Sequence, residues 1–389
     1  MAWRESKADG YNTRVERIYL DNAATTSISP AAEEAMRRAM RDGFGNPASS
    51  HTFGRRARQT LEDARERIAA RLDAKPDEVI FTSGATEANN LAIFGWATNP
   101  GTIAAAGVEH PCVLEPIADL ERRGWSRHLL SVDREGVLQI PSTWPEDLRL
   151  VAAMLVNHET GVRQPVETLA KGLGDRAVLL CDAAAAVGRI PVSFRKLDVH
   201  ALTFSAHKFH GPIGIGGLVV RKGVKLHPML FGGHQQQSRR PGTESPMLAA
   251  GMAAALDEAC ENLERNTAHV AAVRTAFLEG LTAANPIVVH GGTHAIPFVA
   301  NVSFPGRKAD ALLIALDLAG IACSAGSACS SGSLLPSPVL RAMGLPEAEL
   351  TSALRFSFSR ETTLAEAAEA ACRITRAVRH LRNSADDEV

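Results

Sequence analysis

Thr203-Phe204-Ser205-Ala206-His207-Lys208-Phe209-His210-Gly211-Pro212 places one lysine on a loop between two apolar runs. The first run arrives from Val199. The second is Leu218-Val219-Val220, and Gly211, Gly214, Gly216 and Gly217 stand between them. That pattern reads as strand, loop, strand. Most lysines are solvated surface charges. Here Ser205 and His207 supply short donors nearby, and the glycines let the backbone approach a ligand closely. A lysine held in such a site can act as a base and form a Schiff base with an aldehyde. Pyridoxal phosphate (PLP) is the common aldehyde cofactor and needs a carboxylate at its ring nitrogen. Asp182, closing the apolar run Ala177-Val178-Leu179-Leu180-Cys181, is placed to supply one. On this stretch alone, a surface lysine and a Schiff-base lysine both stay open.

Upstream, strands and helices alternate. Ile18-Tyr19-Leu20 is a short apolar strand, and Ser29-Pro30 opens a helix with Ser29 as N-cap. Leu61, Ala64, Ile68 and Leu72 sit at helical spacing, which predicts a helix over 55–72 after a loop at 43–54. Val79-Ile80-Phe81-Thr82 reads as a strand, and Ser83-Gly84-Ala85-Thr86-Glu87-Ala88-Asn89-Asn90 runs from it into a helix. Strand, small-residue turn and helix start make an anion site, because backbone N–H groups and the helix dipole face the ligand. The plainer alternative is a helix capped by Ser83. Apolar runs at 102–106 and 150–156 end in Glu109-His110-Pro111 and Asn157-His158-Glu159-Thr160-Gly161. Such alternation implies a parallel sheet with polar residues gathered at the strands' carboxyl ends. Pro212 to Gly217 is not a dinucleotide fingerprint, since it lies between strands and opens no helix. His200, His207 and His210 lack carboxylate or cysteine companions at ligand spacing, so no metal is expected.

Downstream, 231–243 reads as an exposed polar loop and 245–281 as a long helical stretch. Strands are expected at 287–289, 299–304 and 354–358, and helices at 309–318 and 363–381. Cys323-Ser324-Ala325-Gly326-Ser327-Ala328-Cys329-Ser330-Ser331-Gly332-Ser333 is small, polar and glycine-bearing, hence a mobile loop. Cys329 in that setting is a reactive-thiol candidate, whereas Cys323, after Ile321-Ala322, is expected to pack at a strand end.

The bulk composition excludes several classes. The chain has 389 residues, 45% hydrophobic and 22% charged, with a net charge of −1. Nothing in that balance points to general nucleic-acid or anionic-membrane binding. The six cysteines form no Cys-x-x-Cys pair, and no apolar run approaches a membrane span. The first 17 residues lack an apolar signal core and read as a loosely docked arm. A cytoplasmic protein with reduced thiols is expected.

Taken together, the motifs resemble those of the PLP-dependent cysteine desulfurases of the class V aminotransferase group, in the branch with a long thiol-bearing loop. The match includes Tyr19 to Thr26, Asn46-Pro47 with His51 and Gly54, Phe81 to Asn90, Glu109-His110, Val156 to Gly161, Ser205 to Pro212 and Ser324 to Ser331. The resemblance implies an α/β architecture, the PLP-dependent transferase fold type I. It comprises a large domain (18–262) with a mostly parallel seven-stranded sheet and a smaller α+β C-terminal domain (263–389). It also implies a homodimer that removes sulfur from L-cysteine, releases L-alanine and passes a Cys329 persulfide to a protein sulfur acceptor. By position, Lys208 resembles the Schiff-base lysine, Asp182 the partner of the pyridinium nitrogen and His110 the ring-stacking proton relay. Ala85, Thr86, Ser205 and His207 would hold the phosphate, with Thr243 reaching it from the other subunit. Arg355, Asn157 and Asn22 would bind substrate, Asn157 also facing the cofactor. Ala185 stands where the family has a glutamine bonded to the ring hydroxyl, a loss of roughly 1 kcal/mol if nothing replaces it. Gln236 replaces a usual glutamate, His234 a common glycine and His158 a usual asparagine. A selenocysteine lyase, an aminotransferase or a non-catalytic partner that docks a sulfur acceptor stand as alternatives. Iron–sulfur assembly, tRNA thiolation and DNA phosphorothioation are all open as the destination of the sulfur.

Overall fold

The computed structural model of the protein describes residues 16–326 and 336–386. Its strands are β1 (Ile18–Tyr19), β2 (Val79–Thr82), β3 (Thr102–Ala106), β4 (Ser126–Leu130), β5 (Leu148–Met154) and β6 (Val178–Asp182). β7 (Ala201–Ser205), β8 (Gly216–Val220), β9 (Val288–His290), β10 (Val299–Ser303), β11 (Ile321–Ala322) and β12 (Ala353–Ser357) follow. Seven of them form one sheet in the order β2-β8-β7-β6-β5-β3-β4. The β3–β4, β3–β5, β5–β6 and β6–β7 pairs are parallel. β8 runs antiparallel to both β7 and β2. The reason is local: β7 reaches β8 by the loop bearing Lys208, without a crossover helix, so the chain must turn back.

The apolar strand runs divide by a period of two. Val79, Phe81, Ala104, Val151, Ala153 and Leu179 enter the core on one face. Ile80, Ile103, Ala105, Leu150, Ala152 and Leu180 enter the core on the other. Covering both faces with helices is what makes these strands read as nearly continuous apolar runs. The first core is continuous with that beneath a three-stranded antiparallel sheet, β12-β10-β9. There Phe277, from the helix Leu263–Leu281, packs on Phe356 and Phe358 at centroid distances of 5.0 and 5.2 Å.

Helix α1 (Pro30–Asp42) starts as its sequence predicts: the Ser29 hydroxyl accepts from the Ala32 N–H and proline fills the first turn. Helix α2 (Thr52–Arg71) begins three residues earlier than expected, because His51 Nδ1 accepts the Gly54 N–H at 3.2 Å and acts as the cap. The helical stretch expected over 245–281 breaks at Asn262 into Pro246–Glu261 and Leu263–Leu281. The loop at 231–243 is not wholly exposed. Gln236 is buried, and its Oε1 accepts from the Phe81 N–H and from Arg65 Nη1, both at 2.9 Å. One further pairing has no local signal. β1 lies parallel to β11, and Asp21 bridges Ser357, so the chain's opening motif is stitched to its last third. Among the described residues, no helix is long and apolar enough to cross a membrane.

Candidate active site

Polar side chains gather where the parallel strands end, as the open α/β arrangement requires. Asp182 is the last residue of β6 and stands in register with Met154 of β5 and Thr203 of β7. It is 6% exposed. Its Oδ1 accepts the Ala184 N–H at 2.9 Å, and its Oδ2 accepts Asn89 Nδ2 at 2.8 Å. Asn89 comes from helix α3 (Ala85–Trp96) and in turn accepts the Thr203 hydroxyl at 2.9 Å. Three elements therefore fix the direction of one buried carboxylate. The sequence reading gave Asn89 no role. The signal was a polar residue on the apolar side of an otherwise hydrophobic helix.

Lys208 ends the short 3₁₀ turn that follows β7. Its Nζ donates to the carbonyls of Ala23 and Ala24, two residues of the opening motif. His207 lies 3.2 Å from the Thr25 hydroxyl. Burial, helped by the charges of Lys208 and Arg189, pushes the His207 imidazole down to about 4. His110 caps helix α4 (Pro111–Arg122), and its Nδ1 accepts the Cys112 N–H at 3.1 Å. The ring hydrogen is thereby assigned to Nε2, leaving a donor on the far side. Burial lowers the His110 pKa against the opposing pull of Asp182. His158 stands edge-on to it, centroids 5.0 Å apart, and burial holds that ring well below the ordinary histidine range.

Helix α3 starts at Gly84, which has no side-chain cap. Ser83 does not cap the helix; its N–H instead donates to Glu87 Oε2 at 2.7 Å, and Glu87 is paired with Arg240 at 2.7 Å. The first N–H groups, from Ala85 and Thr86, are left without a capping side chain. Ser205 faces this turn, its Oγ 3.7 Å from where a Gly84 Cβ would stand. The turn can lie this close because β8 begins with Gly216, whose Cβ would meet Gly84 Cα at 2.7 Å. Thr86 and Thr243 are exposed in the single chain.

On the opposite side, Arg355 of β12 pairs with Asp21 Oδ1 at 2.8 Å and donates to the His158 carbonyl at 3.1 Å. Its Nε is buried with no partner. Asn157 lies beneath the site with its amide fully engaged. Oδ1 accepts from the Glu159 and Thr160 N–H groups and the Thr160 hydroxyl, and Nδ2 donates to Val108 O and Met154 Sδ. Asn22 donates to Ser357 O at 2.9 Å and to Tyr19 O at 3.3 Å. Ala185 is half-buried in the turn after Asp182. Cys323 is half-buried after β11, and burial pushes its thiol up to about 12. Cys329 lies outside the described residues.

The donor set fits a phosphorylated pyridine aldehyde. An uncapped helix start with the Thr86 and Ser205 hydroxyls suits a phosphate. A fixed buried carboxylate suits a ring nitrogen, and a lysine stands between the two strands. The buried, unpartnered Arg355 Nε suits a further anion. Among the described residues, no group of three or more histidine, cysteine or acidic side chains is arranged to hold a metal.

Fold and site together define an aminotransferase of class V, and the chain belongs to that family, whose match spans residues 18–369. Enzymes of this family work with PLP. The chain is 41% identical over 360 residues to the cysteine desulfurase of Gluconacetobacter diazotrophicus, covering 90% of each protein. It superposes on a solved NifS-like protein with a TM-score of 0.87 and 32% identity, over 92% of this chain and 98% of that one. It superposes on SspA, solved in complex with cysteine, with a TM-score of 0.78 and 30% identity, over 88% of this chain and 99% of that one.

Proposed function

We propose that this protein is a cysteine desulfurase that removes sulfur from L-cysteine, releases L-alanine and carries the sulfur on Cys329. The observation that carries this reading is the convergence at one sheet edge of Lys208, the Asn89-held Asp182 and the uncapped start of α3. Bound there, PLP would supply an electron sink next to the substrate amine. Lys208 would hold it covalently, and Asp182 would face its ring nitrogen. Ala85, Thr86, Ser205 and His207 would take its phosphate, with Thr243 contributed by a second copy of the chain. Once the substrate amine replaced it, the freed Lys208 Nζ would serve as the base for the substrate α-proton, with the Nε2–H of His110 as the neighbouring donor. Arg355 presents its guanidinium to the substrate carboxylate, a charge-assisted contact. Asn157 and Asn22 contribute by tying the turn and the opening segment that carry these groups. Cys329 Sγ attacks the substrate sulfur. The sulfur–sulfur bond would form on Cys329 as the carbon–sulfur bond breaks, and its electron pair would stay with the carbon skeleton, which takes up a proton and leaves as alanine.

A homodimer follows from the same reading. Phe44, Phe231 and Ile213 are 76%, 89% and 73% exposed in one chain, apolar side chains that a second copy would cover. A cytoplasmic setting and a protein acceptor for the sulfur complete the proposal. The test is borohydride reduction of the yellow holoenzyme followed by peptide mass spectrometry. The expected result is one phosphopyridoxyl mass on Lys208. The same mass on another lysine, or none, would contradict the assignment.

A further inference from the structure

Glu159 is a buried acid that the proposed chemistry does not use. It lies in the turn after β5, 2% exposed, its backbone N–H held by Asn157 Oδ1 at 2.9 Å. Its side chain touches both described flanks of the segment that carries Cys329. On one flank, Ser337 donates its hydroxyl to Glu159 Oε2 at 2.6 Å. The same hydroxyl oxygen accepts the Leu340 N–H at 3.2 Å as the cap of the helix Pro338–Ala342, so its single hydrogen is committed to Glu159. On the other flank, Gly326 has φ +74°, and a Cβ there would stand 2.4 Å from Glu159 Oε2 and 2.8 Å from its Cδ. Only a glycine lets this backbone rest against the carboxylate.

These contacts close into a ring that includes the carboxylate-binding candidate. The Gly326 N–H donates to Ser324 Oγ at 3.2 Å. Ser324 and Arg355 exchange backbone bonds of 3.1 and 2.6 Å. The Arg355 guanidinium donates to the carbonyl of His158, which is covalently next to Glu159. Burial pushes the Glu159 carboxyl up to about 7, opposed by the Ser337 bond and the Arg355 charge. A carboxylate in so dry a place is costly unless its partners are fixed.

We propose that Glu159 is a positioning residue, a clasp that holds the flanks at Gly326 and Ser337 in one relation to Arg355 and so sets how Cys329 is presented to the substrate sulfur. This rests on the reading of Cys329 as the sulfur acceptor. Glu159 touches neither substrate nor cofactor in this account. Its effect belongs to sulfur transfer and not to the earlier binding of cysteine.

The test uses holoenzyme of the wild type, Glu159→Ala, Glu159→Gln and Ser337→Ala. Four quantities are read: the alkylation rate of Cys329 by iodoacetamide without substrate, the absorbance change on adding L-cysteine, single-turnover persulfide formation on Cys329, and Tm. Misplacing a reacting group by about an ångström can cost up to roughly a hundredfold, so both alanine variants should slow persulfide formation by about tenfold to a hundredfold. Both should alter the alkylation rate while the cysteine-induced absorbance change keeps its wild-type rate and KM. Glu159→Gln, which retains an acceptor for Ser337, should recover most of the persulfide rate. Wild-type persulfide and alkylation rates in folded Glu159→Ala would overturn the proposal. So would a loss of all steps together with Tm, which marks a merely structural residue. If Glu159→Ala does not fold, Ser337→Ala decides, since it removes one hydroxyl bond. A wild type that places no sulfur on Cys329 removes the underlying reading itself, whatever the variants do.

Discussion

Asp182 shows how much of this site depends on a residue that performs no chemistry. Its Oδ2 is held by Asn89, and Asn89 is held by Thr203, so one amide orients the carboxylate and satisfies a buried hydroxyl. Asn89→Ala leaves both groups short of a partner, and each unsatisfied buried group costs about 1–3 kcal/mol. The variant is expected to unfold at lower temperature and to lose PLP faster on dilution, both followed by calorimetry and absorbance. A wild-type Tm with unchanged cofactor retention would show that Asp182 needs no such support. Arg355 makes the complementary point, since its guanidinium is already bonded to Asp21 and the His158 carbonyl. A substrate carboxylate would join an ordered fork, with little side-chain freedom left to lose.

At the scale of elements, the polar loop near 231–243 is anchored by one buried glutamine. Gln236 gives its Oε1 to the Phe81 N–H and Arg65, and its Nε2 bonds Glu244. Gln236→Ala leaves the Phe81 N–H unsatisfied and removes one partner of Arg65, which keeps the Val79 carbonyl and Glu62, an expected loss of about 1–3 kcal/mol, read from urea unfolding. The three-stranded sheet offers a test with a pH signature. The Ser303 hydroxyl donates to Glu349 O, so it can only accept from His290 Nε2, at 2.7 Å. Burial holds His290 down to about 4 from its ordinary 6.5. A histidine depressed on folding contributes stability that is present above 6.5 and lost as pH falls through about 4. His290→Gln keeps a donor for Ser303 and does not titrate. Its Tm should therefore fall less than the wild type's between those two pH values, and parallel Tm curves would contradict this. The strands were legible in the sequence because strands buried on both faces read as apolar runs, and their polar ends marked the site edge. The glutamine's burial was not legible. Loop composition gives no sign of a strand N–H 155 places earlier in need of an acceptor. Asn89 was hidden in the same way, and helix α2 started early because a histidine took a cap position that serine or aspartate usually fills.

The molecule as a whole is tied together by its opening segment. Ala23 and Ala24 receive Lys208, Asp21 receives Arg355, the Asn22 carbonyl receives buried Arg189 at 2.7 Å, and β1 pairs with β11. The lysine side and the arginine side of the site are thus set relative to each other by one short run of backbone. The motif was legible in the sequence, but its long-range pairing was not, because a two-residue strand carries no period. The same protein is expected both to perform the reaction and to carry its sulfur. The most direct measurement is a single turnover with L-cysteine and no reductant, quantifying alanine and mapping added sulfur by intact and peptide mass spectrometry. One alanine per site and one extra sulfur on Cys329 are expected. Alanine without sulfur on Cys329, or a keto acid in place of alanine, would contradict it.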